Sequence, residues 1–192
     1  MSRVRRVAPV QAGVGYPVVL PRKFLDNEIQ MIDSPPLSSI DRFEIFEQLH
    51  RHQRYIDNDA SRASAELYVS LYWPEATFTV NDIRENTFTG ADGLKLLYDY
   101  AHSVFPMDRM RHSLGTFVIE GDGRHARVEW NWIVTWRAGA EGFLSTGTYF
   151  DKFEKRDGIW KCLERISHVD ANWPAETFQP WVDRQDQTFK AS

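Results

Sequence analysis

The chain has 192 residues, of which 42% are hydrophobic and 14% aromatic, and its formal net charge is -4. This length supports one substantial core but is short for two full domains. Acidic and basic residues are interspersed, so the sequence lacks the basic field that attracts a nucleic-acid backbone. Cys162 is the only cysteine, which excludes an internal disulfide and any zinc site built from several cysteines.

The first residues are basic and rich in proline, with prolines at positions 9, 17, 21, 35 and 36. Gln, Gly and Pro interrupt their apolar residues, so no signal peptide is indicated. No apolar run in the sequence approaches the length of a membrane span. We therefore predict an extended arm over residues 1–38, one domain over 39–174 and a tail over 175–192, in a cytoplasmic protein without a membrane partner.

Three amphipathic helices are predicted before residue 106. In the first, which a serine pair can cap, Ile45, Leu49 and Ile56 recur at spacings of four and seven, as one helix face requires. His52 falls within that apolar stripe, where packing in the helix interior is its expected role. The second helix is predicted over residues 61–73, before a proline and the strand ATFTVND. The third is predicted in the segment GADGLKLLYDYAHSVFP.

Four long runs of alternating apolar and polar residues follow the helices. They cover residues 110–120, 124–137, 143–155 and 159–170. The segments GDGR, RAGAEG and KRDG between them are typical of hairpin turns. Helices followed by an antiparallel meander predict an α+β fold, with the helices covering one face of a curved sheet.

The alternation also predicts which side chains share a face of the sheet. In the second long run the inner face carries three tryptophans, Trp130, Trp132 and Trp136. In the first run His112 is expected on the same face as Leu114, Thr116 and Val118. The tryptophans either fill the core or line a cavity, where they would favour an aromatic ligand.

The phrases TFVIEGDGRHARV and GTYFDKFEKRDGIWK, with YIDND and LYWPEATF before them, resemble the SnoaL-like (polyketide-cyclase-like) branch of the nuclear-transport-factor-2-like superfamily. The resemblance covers roughly residues 40–172. It implies a cone-shaped α+β barrel, in which a strongly curved, mostly antiparallel sheet wraps around three N-terminal helices and a deep pocket lies between them. It also implies a homodimer or a higher homo-oligomer.

The lyases that this sequence resembles, scytalone dehydratase among them, work without a cofactor. They place a histidine at the start of the first long strand and an aspartate at the end of the first helix, and this pair removes a proton from the substrate. The segment RHSLGT puts His112 at the histidine position. Both Asp57 and Asp59 can supply the aspartate, because periodicity does not choose between them, and we prefer Asp57. Tyr55 matches a tyrosine before the aspartate approximately.

Neutral imidazole is a good base near pH 7, and a carboxylate bonded to its other nitrogen fixes the tautomer and stabilises the imidazolium. The plainer alternative is a partly buried His112 bonded to a backbone carbonyl. Thr148 and His168 are predicted as polar contacts to the substrate. No histidine pair with a third ligand is visible, so we predict no metal.

The leading hypothesis is therefore a cofactor-independent lyase or isomerase that acts on a hydrophobic, aromatic small molecule by dehydration or by retro-aldol cleavage. The alternative is a non-catalytic role, as the small (beta) subunit of an aromatic-ring-hydroxylating dioxygenase or as a ligand-binding module. Co-purification with a large iron-containing subunit would favour that alternative.

Overall fold

A computed structural model describes residues 35–105, 107–136 and 143–170. The elements in chain order are α1 (Ser39–Ile56), α2 (Arg62–Val69), β1 (Tyr72–Val80), β2 (Thr87–Thr89), α3 (Gly90–Val104), β3 (Met110–Gly121), β4 (His125–Trp136), β5 (Phe143–Arg156) and β6 (Ile159–Val169). No helix in these ranges is both long and apolar enough to cross a membrane. Nearly all of the predicted arm over 1–38, and the whole predicted tail over 175–192, lie outside the described residues.

The six strands form one sheet in the order β2-β1-β6-β5-β4-β3. Strands β1 and β6 are parallel, and every other neighbouring pair is antiparallel. The predicted α+β class and the mostly antiparallel sheet are therefore confirmed. The described sheet is open, however, with β2 and β3 at its edges, so it is not a closed barrel.

Helix α1 begins with a capping box. The Ser38 hydroxyl accepts a hydrogen bond from the Asp41 backbone N–H at 3.1 Å, and the Asp41 carboxylate accepts one from the Ser38 backbone N–H at 3.0 Å. These bonds satisfy backbone groups that a helix start leaves unpaired. Ile45 and Leu49 are fully buried, as the predicted apolar stripe requires. The cap therefore fixes the start of the helix whose other end carries Asp57.

The second predicted helix is too long. Helix α2 ends at Val69, and Tyr72 already begins β1, so Pro74 lies inside a strand instead of ending a helix. The pairing of β1 with β6 is irregular between Tyr72 and Thr77. Pro74 lies in this irregular stretch, where a strand residue need not donate to the ladder.

A bulge in β3 changes which side chains share a face with His112. The pairing of β3 with β4 shifts register between Leu114 and Phe117, and an extra residue there reverses the alternation beyond it. Ile119 is therefore buried, whereas Val118 is 59% exposed. The prediction that Thr116 and Val118 share a face with His112 was wrong for this reason, whereas Leu114, before the bulge, does share it.

The core lies between the inner face of the sheet and the three helices. The inner face of β4 is buried along its length, through Ala126, Val128, Trp130, Trp132 and Val134. Helices α2 and α3 add the buried rings of Tyr68 and Tyr98. The side chain of Trp136, predicted on the same face, lies outside the described part of the structure.

Candidate functional site

The end of α1 places a carboxylate against the start of β3. Helix α1 ends at Ile56, and Asp57 is its C-cap, with φ −84° and ψ −1°. The Asn58 backbone N–H donates to the Tyr55 carbonyl at 3.2 Å, which closes the last turn. Asp57 is buried, and its Oδ1 lies 2.7 Å from His112 Nδ1. The structure therefore brings Asp57 and His112 together.

Asp57 holds both the ring and the backbone of His112. The His112 backbone N–H donates to the same carboxylate, at 3.0 Å to Oδ2 and 3.2 Å to Oδ1. An ionised carboxylate only accepts hydrogen bonds, so we assign the ring proton to Nδ1 from this contact. Nε2 is then the nitrogen that can take a proton from a substrate. Arg111 Nε is 3.8 Å from Asp57 Oδ2, too long for a hydrogen bond.

Asp59 has a different role. Its Oδ1 accepts hydrogen bonds from the hydroxyls of Ser64 at 2.6 Å and Ser61 at 2.7 Å, and Ser61 caps α2. The bonds from Ser64 and Ser61 hold the pKa of Asp59 below its ordinary value. The carboxylate of Asp59 therefore organises the start of α2, and among the described contacts it has none with His112.

An apolar cavity of about 140 Å³ lies beside His112. Its walls come from helices and from the sheet, for example Ile56 of α1, Leu97 of α3 and Val134 of β4. On the other side of the His–Asp pair is a polar groove that Arg54 and Arg111 line together with both residues of the pair. The histidine therefore lines both the apolar cavity and the polar groove.

The tryptophans of β4 divide between cavity and core. Trp132 lines the cavity. Trp130 is fully buried, and its Nε1 donates to Asp151 Oδ2 at 2.7 Å. Trp130 is therefore a core residue that anchors a buried carboxylate, and among the described residues it is not part of the cavity wall.

Thr148 and His168 lie on the outer face of the sheet, opposite each other on β5 and β6. Thr148 accepts a hydrogen bond from Asn131 at 3.0 Å, and the His168 ring packs edge-on against Phe150. Their chain neighbours line the cavity instead, because successive strand residues point to opposite faces. This placement corrects the predicted substrate contacts of Thr148 and His168.

Tyr55 contributes to the core. Its side chain is partly buried against the core cluster, and its carbonyl accepts a hydrogen bond from the Tyr98 hydroxyl at 3.2 Å. Tyr55 is absent from the described cavity wall. The structure therefore gives Tyr55 a supporting position beside the end of α1.

His52 lines the cavity, although its sequence pattern indicated packing alone. The ring is 2% exposed, and burial, together with the nearby positive charge of Arg165, lowers its pKa well below the ordinary value. His52 is therefore neutral at physiological pH. The sequence signal for this cavity position was a histidine on the apolar stripe of α1, five residues before Asp57.

A buried ion pair lies behind the cavity wall. Arg165 Nε and Nη2 donate to Asp151 Oδ1 and Oδ2 at 2.7 and 2.6 Å, and Arg165 Nη1 donates to the Tyr72 hydroxyl at 2.9 Å. The guanidinium lies 4.9 Å from the ring centre of Tyr149, which lines the cavity. Sequence patterning missed this pair, because strand alternation normally assigns charged residues to the solvent face.

Neither a metal nor a cofactor is assigned to the site. Over residues 35–105, 107–136 and 143–170, no three side chains of His, Cys, Asp and Glu come together in a group that could hold a metal ion. The chemistry that the site can perform with its own groups is proton transfer by the His–Asp pair.

Solved structures with the same fold support this architecture. A Nostoc punctiforme protein of unknown function with a cystatin-like fold aligns with a TM-score of 0.63 and 20% identity, over 72% of this chain and 97% of that one. A Novosphingobium aromaticivorans NTF2-like protein aligns with 0.59 and 20%, over 71% and 86%. A protein from the same organism, provisionally assigned as a scytalone dehydratase, aligns with 0.55 and 19%, over 68% and 85%. At these identities the likeness shows the fold alone.

Fold and site thus define an α+β protein of NTF2-like fold, in which a half-buried histidine contacts a buried aspartate beside an apolar cavity. The family model of the SnoaL-like domain matches residues 38–166. The chain therefore belongs to the SnoaL-like family, as its sequence phrases indicated. No curated protein matches it significantly.

Proposed function

We propose that the protein is a cofactor-independent lyase or isomerase in which His112 is the general base and Asp57 orients it. The observation that carries this proposal is the 2.7 Å contact between His112 Nδ1 and Asp57 Oδ1 at the wall of an apolar cavity. A histidine that only filled space would not need a buried carboxylate on both its ring and its backbone N–H.

In the proposed reaction, Nε2 of His112 takes a proton from a substrate in the cavity. The imidazolium that forms is stabilised by the ionised Asp57, which does not itself need to take the proton. If the proton comes from a carbon beside a carbonyl, the enolate expels the β-hydroxyl, which takes the proton back from Nε2 and leaves as water. If it comes from the β-hydroxyl, the bond between the α and β carbons breaks in a retro-aldol step, which gives a new carbonyl and an enolate that takes the proton back from Nε2. Both outcomes use the same base.

The cavity limits the substrate to a small hydrophobic molecule. Its volume is about 140 Å³, and an apolar cavity of about 150 Å³ is known to hold one benzene ring. A single-ring compound therefore fits the cavity. The aromatic part of this substrate class rests on the size and apolar lining of the cavity.

Single-ring β-hydroxy ketones test the proposal, because dehydration and retro-aldol cleavage give different products from them. Mass spectrometry identifies the product of any compound that the wild-type protein converts. His112→Ala should then lower kcat by about 10² to 10⁴-fold. Asp57→Asn should also lower it, because an amide can donate to Nδ1 and so favour the wrong tautomer.

Asp59→Asn is the matched control, since it makes the same change two residues away. It should leave kcat within about twofold of wild type, because Asp59 only organises the start of α2 and surface changes of this kind usually have small effects. Turnover by a folded His112→Ala variant at the wild-type rate would contradict the mechanism.

The non-catalytic alternatives make a different prediction. A ligand-binding module or a dioxygenase small subunit would bind ring compounds without converting them, and His112→Ala would then alter affinity alone. Size-exclusion chromatography with light scattering also tests the expected homo-oligomer, which stays a prediction.

A further inference from the structure

Two side chains in the apolar cavity wall, His52 and Trp132, carry buried nitrogens with no hydrogen-bond partner among the residues that the structure describes. The first is His52, which is almost completely buried and lines the cavity. Within the part of the chain that the structure describes, neither of its ring nitrogens has a partner. The ring packs against Tyr68, with 5.3 Å between ring centres, and against Tyr149, with 5.6 Å. Aromatic packing therefore surrounds His52 but leaves its polar atoms unsatisfied.

Neutral imidazole offers one N–H donor and one acceptor nitrogen. Because His52 is held neutral by burial and by Arg165, it has both the donor and the acceptor, and no described residue bonds to either of them. Buried polar atoms are almost always hydrogen-bonded in native proteins, so an unsatisfied pair calls for a cause. Phenylalanine would fill the same space without this cost.

The second side chain is Trp132, whose Nε1–H has no partner among the described residues. Its ring lies directly over Gly147, where an added Cβ would overlap the indole. Trp132 also packs against Tyr149, with 6.0 Å between ring centres, and it lines the same cavity. His52 and Trp132 thus both pack against the ring of Tyr149, and together they carry two donors and one acceptor.

We propose that His52 and Trp132 bind oxygen substituents of the substrate, so that this cavity selects an oxygenated single-ring compound over a hydrocarbon of the same size. This inference rests on the proposed function for its substrate. His112 lines the same cavity, so the bound molecule can meet the base with one part and these two residues with another. His52 and Trp132 are positioning and specificity residues in this account.

Phenol and toluene make a suitable probe pair, because they have nearly the same shape and differ in one hydroxyl. The measurement is the ratio of their dissociation constants, obtained by NMR titration of the full chain. In His52→Phe and in Trp132→Phe the preference for phenol should fall by about tenfold relative to wild type, the value of one lost hydrogen bond. Both variants keep an aromatic ring at the wall.

His168→Phe is the matched control. His168 Nε2 is also buried without a described partner, but the residue lies on the outer face of the sheet. Its variant should keep the wild-type ratio. Thermal unfolding checks the fold: His52→Phe should melt at or above the wild-type temperature, because it removes unsatisfied buried nitrogens.

An unchanged phenol-to-toluene ratio in both cavity variants would overturn the inference, as would a folded wild-type protein that binds toluene as tightly as phenol or binds neither. Failure of the proposed function is distinguishable, since binding of the probes does not require turnover. A folded His112→Ala variant that keeps the wild-type ratio of phenol to toluene dissociation constants would show that selection by His52 and Trp132 does not depend on the base.

Discussion

The buried pair Asp151 and Arg165 allows a stability prediction with a defined magnitude. Asp151 is 0% and Arg165 2% exposed, and the carboxylate accepts three hydrogen bonds, two from Arg165 and one from Trp130. In Asp151→Asn only one oxygen remains, and the new amide N–H₂ faces a donor. The guanidinium charge is then buried without a counter-ion.

Breaking a buried ion pair in this way costs about 3–5 kcal/mol, a large part of the about 5–15 kcal/mol that stabilises a typical domain. Urea unfolding followed by tryptophan fluorescence measures the loss. With a typical slope of about 2 kcal/mol per molar, the midpoint should fall by about 2 M.

The next pair along the same two strands is the control. Lys152 and Glu164 are opposite each other in the β5–β6 register, and each side chain is 31% exposed. Glu164→Gln should cost less than about 1 kcal/mol, as partly exposed pairs usually do. Loss of less than about 1 kcal/mol in Asp151→Asn would refute the reasoning, since an unpaired buried charge should cost several times more. The double variant Asp151→Leu, Arg165→Met should recover much of the loss, because no charge is left unpaired.

Two further predictions concern Gly147 in the sheet and Asp41 at the start of α1. Gly147→Ala should displace the indole of Trp132, because an added Cβ would overlap it. The variant should lose about 1–3 kcal/mol of stability and the preference for phenol. A variant that melts at the wild-type temperature would contradict this prediction. Lys155 and other donors hold the pKa of Asp41 well below the ordinary 3.8. The stabilisation from Asp41 is therefore complete above about pH 5 and is lost progressively as the pH falls through the ordinary pKa. Melting curves from pH 7 to 3 should show a shallower acid decline in Asp41→Asn, and parallel curves would argue against this contribution.

The sequence predicted most of the architecture because periodicity reports burial. Helix α1 follows its apolar stripe, and the four long strands lie within one or two residues of their predicted bounds. Helix α2 was the exception. Its apolar residues continue into Tyr72, a residue buried in a strand, and a short apolar run fits either element.

The choice between Asp57 and Asp59 needed the structure. Periodicity assumes that the helix continues, but α1 ends at Ile56, and beyond that point each side chain follows its own backbone angles. The direction of Asp57 is set by its contact with His112 on β3, fifty-five residues later in the chain. A contact between residues so far apart in the chain leaves no pattern in the sequence of either segment alone.

By itself, the sequence determined the α+β class, the family and the position of His112 at the start of β3, because all three depend on local patterns and short phrases. Tertiary structure alone decided which carboxylate faces His112, where the β3 bulge reverses the faces, and that Thr148 and His168 point outward. Those features depend on strand register and on packing between segments that are far apart in the sequence. Periodicity within one segment shows neither where a bulge shifts the register nor which distant segment packs against it.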